Sequence, residues 1–118
     1  MKKLKTMMSY KPNGIIKMMD IEFKTMPTVA ELRDFIIKEG GLNVVNSLNH
    51  KFIPQGETDI TIIEESHLAI HTYPEHLFAA VDLYTCGCRD FIPGVENLLK
   101  KQFKIKKIIL NEYKRGIL

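Results

Sequence analysis

The 118-residue chain contains no tryptophan and only two cysteines, and none of its apolar runs approaches the roughly 20 residues that a membrane-spanning helix requires. The last absence excludes a helical membrane protein. Cys86 and Cys88 stand two positions apart, too close to staple distant segments, so both are expected as free thiols in a reducing compartment. No metal is expected either, because Cys86-Gly87-Cys88 supplies one ligand pair and a structural zinc site wants a second with ligand-like spacing. The opening stretch "MKKLKTMMSYKPNG" has a basic start but no continuous apolar segment and no small-residue cleavage site, which predicts a cytoplasmic protein. A groove-reading motif and an interleaved aromatic platform are missing too. The net charge of +3 comes largely from seven lysines and arginines between Lys100 and Arg115, at an expected helix C-terminus and on the solvent face of an expected strand. Cations are favourable in both places without a nucleic-acid partner.

What is present has the balance of an ordinary globular protein, 45% hydrophobic and 26% charged, with neither linker nor low-complexity segment. One domain spanning residues 1–118 is expected. "IIKMMDIEFK" over 15–24 predicts a first strand, although its alternation is poor. "MPTVAELRDFIIKEGG" predicts an amphipathic helix: Thr28 and Glu31 form a capping box, Val29, Leu32, Phe35 and Ile36 share a face, and Gly40-Gly41 ends it. "LNVVNSLNHKF", "TDITIIEE", "HLAIHTY" and "FAAVDLYTC" read as successive strands, parted by Pro54-Gln55-Gly56, the Glu65-Ser66 junction and Pro74-Glu75-His76. After Pro93 a second helix carries Val95, Leu98, Leu99 and Phe103 on one face, and "KIKKIILNEY" gives the last strand. This order predicts an α+β fold, a two-layer sandwich in which both helices cover one face of an antiparallel sheet.

Period-two alternation then sorts the side chains. Leu68, Ile70 and Thr72 share a face with Val81, Leu83 and Thr85, the apolar set that belongs under the helices. His71, Tyr73, Asp82, Tyr84 and Cys86 fall on the opposite face, which no helix of the chain is available to cover. Cys86 and His71 on one face can form a nucleophilic pair if they meet across strands. The same residues also suit plain sheet positions, with Cys86 as a small packing residue and Ser66 as a hairpin corner. Spacing alone leaves both readings open.

The residue strings narrow the choice. "EESHLAIHTYPEH" followed by "DLYTCG", with "HKFIPQG" upstream, closely resembles the self-processing segment of the bacterial and archaeal S-adenosylmethionine decarboxylases, from about Gly41 to Tyr113. The resemblance implies a proenzyme that breaks its own Glu65-Ser66 bond into chains 1–65 and 66–118. In that family the serine hydroxyl attacks the preceding carbonyl, the ester eliminates, and hydrolysis leaves a pyruvoyl group on residue 66 that forms a Schiff base with the substrate amine. The activity implied is decarboxylation of S-adenosylmethionine for polyamine synthesis, with no external cofactor. By position, His71 matches the histidine that moves protons during cleavage, Thr58 the hydroxyl that hydrogen-bonds the cyclic intermediate, and Cys86 the proton donor to the substrate carbon. Phe52 and Tyr73 match the aromatic pair that stacks the adenine, and Glu75 the carboxylate on the ribose hydroxyls. The resemblance also implies a homodimer of cleaved protomers, which would cover the open face.

The chain departs from the family pattern at three places. "NGIIKMMDIEFKTMPT" lacks the usual Gly-Arg-His or Gly-Lys-His, Glu57 and Asp59 replace apolar and glycine neighbours of the processing hydroxyl, and Leu77-Phe78 replaces a glycine-tyrosine pair. The two carboxylates are either solvated turn residues or receivers for the cation of a basic amino acid. The second case would make the protein a pyruvoyl-dependent ornithine or arginine decarboxylase. A non-catalytic partner subunit is a further alternative, opposed by the joint presence of Ser66, His71 and Cys86.

Overall fold

The computed structural model describes residues 11–117. Six strands and two helices follow in the order β1 (Asn13–Phe23), α1 (Val29–Gly40), β2 (Val44–Lys51), β3 (Glu57–Ile63), β4 (Ser66–Tyr73), β5 (Phe78–Cys86), α2 (Val95–Gln102) and β6 (Ile105–Gly116), with a 3-10 turn at Pro74–His76. All strands join one antiparallel sheet in the order β2-β3-β4-β5-β1-β6. Both helices lie on one face of it, as the pattern predicts. None of the described helices is long and apolar enough to cross a membrane.

Local chemistry fixes α1. The Thr28 hydroxyl accepts the Glu31 N–H at 3.1 Å and the Glu31 carboxylate accepts the Thr28 N–H at 3.0 Å, so two otherwise orphaned donors are satisfied at its start. Gly41 closes the other end in the left-handed region at φ 60°. Val29, Leu32 and Ile36 are buried, while Phe35 packs edge-on against Phe103 at 5.5 Å. From α2 come Val95 and Leu99, and from the sheet Met19, Ile21, Leu68, Ile70, Val81 and Leu83, which complete the core between the layers.

The poor alternation of the first strand has one cause. Ile15, Met19, Ile21 and Phe23 all point under the helices, and Lys17 points the same way in their midst, only 5% exposed. Its ammonium reaches Asp90 at 2.9 Å, Glu112 at 3.4 Å and the carbonyl of Ile92 at 3.1 Å, so the buried charge is paired and hydrogen-bonded. Two other strands are shorter than predicted: β2 starts later, at Val44, because the Leu42 N–H bonds back to Ile37, and β3 stops earlier, at Ile63, because Glu64-Glu65 make the turn into β4. The last strand runs on to Gly116, three residues past its predicted end at Tyr113.

Candidate functional site

Ser66 opens β4 immediately after the two-residue turn, paired with Ile63. Its φ is 155°, in a region that L side chains rarely adopt, so backbone strain sits at the peptide unit joining Glu65 to Ser66. The Glu65 carbonyl accepts the Cys86 N–H at 2.8 Å, a contact that polarises it toward a nucleophile. On the other side of the turn the Glu65 carboxylate, 8% exposed, receives the backbone N–H of Asn43 at 3.0 Å and its side-chain amide at 2.8 Å. Burial pushes this carboxyl up, but the Asn43 donors outweigh it and hold the group below the usual carboxylate value.

Asn43 is the residue that the sequence reading missed. Nothing in local periodicity marks it, because its partner is brought 22 positions along the chain by the β2-β3 hairpin. Replacing it with alanine removes one charge-assisted bond and is expected to cost about 1–2 kcal/mol in urea unfolding at pH 7. A carboxyl lowered by folding stabilises above its ordinary value near 4.5, and that contribution is lost as acid carries the pH down through the folded value. The gap between wild type and Asn43→Ala should therefore close in acid, and an unchanged gap at low pH would assign the loss to packing.

A second group of predicted residues gathers at the opposite end of β4. Thr58 and His71 are register partners on β3 and β4, and the Thr58 Oγ1 lies 3.1 Å from the His71 Nδ1. Together with Phe52, Tyr73 and Glu75 they line a pocket of about 280 Å³. The turn that presents Phe52 is closed by its N–H on the Gly56 carbonyl at 2.8 Å, and Gly56 sits at φ 97° where an added Cβ would come 3.1 Å from the Thr72 carbonyl. Tyr73 stands at the end of β4, and Glu75 follows in the 3-10 turn.

Cys86 lies on the same face as Thr58 and His71, while Ser66, at the very start of β4, has the parity of Leu68 and Ile70; the two groups do not meet. His71 is five positions along β4 from Ser66, about 17 Å at the usual rise of a strand. It pairs with Ala80, six positions from Cys86 on β5, about 20 Å away by the same rise. A Cys86-His71 pair within one chain is therefore corrected: alternation places both on the open face, and register puts them at opposite ends of it. That face also carries Leu48, Ile60, Ile62, Ile109 and Tyr113, each 36–76% exposed, beyond the reach of either helix. Both cysteines are free thiols.

Compared with known proteins, residues 14–116 match the family model for S-adenosylmethionine decarboxylase. The chain belongs to the S-adenosylmethionine decarboxylase family. It is 36% identical over 99 residues to the S-adenosylmethionine decarboxylase proenzyme of Persephonella marina, a match covering 81% of this chain and 74% of that one. With the proenzyme of Pelotomaculum thermopropionicum it shares 37% over 100 residues, covering 82% and 79%. Its fold is similar to the crystal structure of the adenosylmethionine decarboxylase from Aquifex aeolicus, with a TM-score of 0.72, 29% identity, and coverage of 92% and 95%.

Within this family frame the unusual residues find structural reasons. Asp59 is 1% exposed on the helix side of β3, where it accepts from Arg33 at 3.1 Å, Asn49 at 3.0 Å and Thr61 at 3.2 Å. It is neither a solvated turn residue nor a receiver for a substrate cation, because its charge is already answered by Arg33. Glu57 borders the pocket, with its carboxylate accepting from Asn49 at 3.0 Å. Leu77 adopts φ 52° after the 3-10 turn. A leucine there bears a strain of about 1–2 kcal/mol that glycine would not.

Proposed function

We propose that the protein is a self-processing decarboxylase of S-adenosylmethionine, and that each of its active centres is built from two copies of the chain. The observation that carries the reading is the Glu65-Ser66 junction, with its carbonyl held by the Cys86 N–H and Ser66 at φ 155°. Attack by the Ser66 hydroxyl on that carbonyl exchanges the strained amide for an ester and frees the Ser66 amine. Loss of the Cα proton then expels the Glu65 carboxylate, ending chain 1–65. Water displaces the remaining nitrogen as ammonia, and chain 66–118 begins with a pyruvoyl group. Residue 66 fits such a group, because cleavage removes the peptide unit whose φ is unfavourable. When formed, the group supplies an electrophilic carbonyl that takes up the electrons released as carbon dioxide leaves.

The remaining tasks fall to this chain's side chains. The Cys86 thiol, at the same end of the sheet, holds a proton for the substrate's α-carbon. Thr58 and His71, already hydrogen-bonded to each other, form a proton-transfer pair that lies too far from Ser66 of its own chain to serve it. A second copy resolves the separation. If two open faces pack about a two-fold axis running across the strands, the Ser66 end of one sheet lies over the Thr58-His71 end of the other. The same packing covers the exposed Leu48, Ile60, Ile62, Ile109 and Tyr113. It also brings the pocket of Phe52, Tyr73 and Glu75 to the partner's Ser66 end, with rings to stack an adenine and a carboxylate for the ribose diol.

Carbon dioxide release from S-adenosylmethionine, ornithine and arginine, measured in parallel on the processed protein, tests the substrate. Release from S-adenosylmethionine alone is expected. Phe52→Ala should still process itself while its KM for the nucleoside substrate rises about 5- to 150-fold, the range of one lost base-aromatic stack of about 1–3 kcal/mol. An unchanged KM would remove Phe52 from the binding site.

A further inference from the structure

We propose that Arg115 anchors the α-carboxylate of the substrate, held in place on the ring of Tyr84. The inference rests on the decarboxylase reading above. That reading gives partners to the substrate's adenine, ribose, amine and α-carbon, and leaves its carboxylate without one. An anion carried out of water into a site between two protein faces needs a cation or several N–H donors.

The register supplies one. Cys86 on β5 pairs with Gly14 on β1, and Gly14 pairs with Arg115 on β6, so the three stand in one row across neighbouring strands on the open face. Lys114, the adjacent cation, pairs with buried Ile15 and so belongs to the opposite face. Gly14 lets the row close up. A Cβ there would lie 2.7 Å from the Tyr84 Cε1 and 2.8 Å from its hydroxyl oxygen, which means that the Tyr84 ring leaves its own strand and lies across β1. The Arg115 guanidinium carbon is 5.7 Å from the centroid of that ring, and the His67 ring is 5.8 Å from it on the side of Ser66. A guanidinium over an aromatic face is held by the ring quadrupole without using its donor edge. The planar fork then remains free to take a carboxylate in two parallel hydrogen bonds, next to Cys86.

This pairing has a kinetic signature. It is made with the bound substrate and is lost as the charged group departs as carbon dioxide, so it strengthens binding more than it lowers the barrier. Processing does not involve it at all, because the proenzyme cleaves itself before any substrate binds.

The experiment compares wild type with Arg115→Gln by three readouts: intact mass, steady-state KM and kcat with S-adenosylmethionine, and the calorimetric Kd for the decarboxylated product, which lacks only the carboxylate. The expected result is normal cleavage at Glu65-Ser66, a KM raised about 10- to 100-fold with kcat changed less than about threefold, and a product Kd within about twofold of wild type. An unchanged KM overturns the assignment, as does an equal loss of affinity for both ligands. Should Arg115→Gln fail to fold, Arg115→Lys carries the test, with a smaller rise in KM and again no change for the product; a lysine variant that weakens both ligands alike overturns it. Failure of the wild-type protein to release carbon dioxide from S-adenosylmethionine would instead sink the underlying decarboxylase reading.

Discussion

Ser66→Ala is expected to purify as one unbroken chain of 118 residues and to release no carbon dioxide from any amino acid. The argument has two separable parts, a nucleophile and a strained bond. Alanine removes the hydroxyl and keeps a Cβ, so the φ of 155° remains unfavourable but nothing is left to attack the Glu65 carbonyl. Glycine removes the hydroxyl and also the steric objection to that φ. Both variants should therefore stay whole by mass spectrometry, while Ser66→Gly unfolds at higher urea than Ser66→Ala, by about 1–2 kcal/mol. Equal stability of the two would show that residue 66 is not strained in the uncleaved chain. Cleavage of Ser66→Ala at the same bond would remove the serine from the reaction altogether.

How much of this was legible beforehand depended on what kind of order each feature needs. Alternation in β4 and β5 sorted Leu68, Ile70, Val81 and Leu83 from His71, Tyr84 and Cys86 correctly, because a sheet buried on one face imposes a strict period of two. The Thr28-Glu31 cap was readable for a similar reason, since all its atoms lie within one turn. The inward Lys17 hid the period of β1, and its partners Asp90 and Glu112 come from other parts of the fold. Asp59 was misread because its neutralising charge, Arg33, lies on α1, 26 positions away. The open face itself could be inferred from the sequence, and so could the residues on it. Where along the strands each one stands followed only from pairing, and that is what separated His71 from Cys86.

That separation leads to the second large expected effect. His71→Ala, prepared alone, should process far more slowly than wild type or not at all, and Ser66→Ala cannot process. Neither protein by itself then yields a working enzyme. If each centre takes Ser66 and Cys86 from one chain and Thr58 and His71 from the other, the two variants repair one another when they share a dimer. In a mixed dimer, the His71→Ala chain contributes an intact Ser66 that faces the intact His71 of the Ser66→Ala chain, and one of the two centres is complete. Random pairing of equal amounts puts about half of the chains in mixed dimers, so about half of the His71→Ala chains should be cleaved at Glu65-Ser66. The Ser66→Ala chains should remain whole throughout. Intact mass reads both fractions directly, and carbon dioxide release should reach about a quarter of the wild-type rate per chain, one centre for every two in half of the dimers. A centre built within one chain predicts no cleavage and no turnover in the mixture, because each chain would still lack its own essential residue. The roughly 17 Å between Ser66 and His71 along a single strand is what makes the first result the expected one.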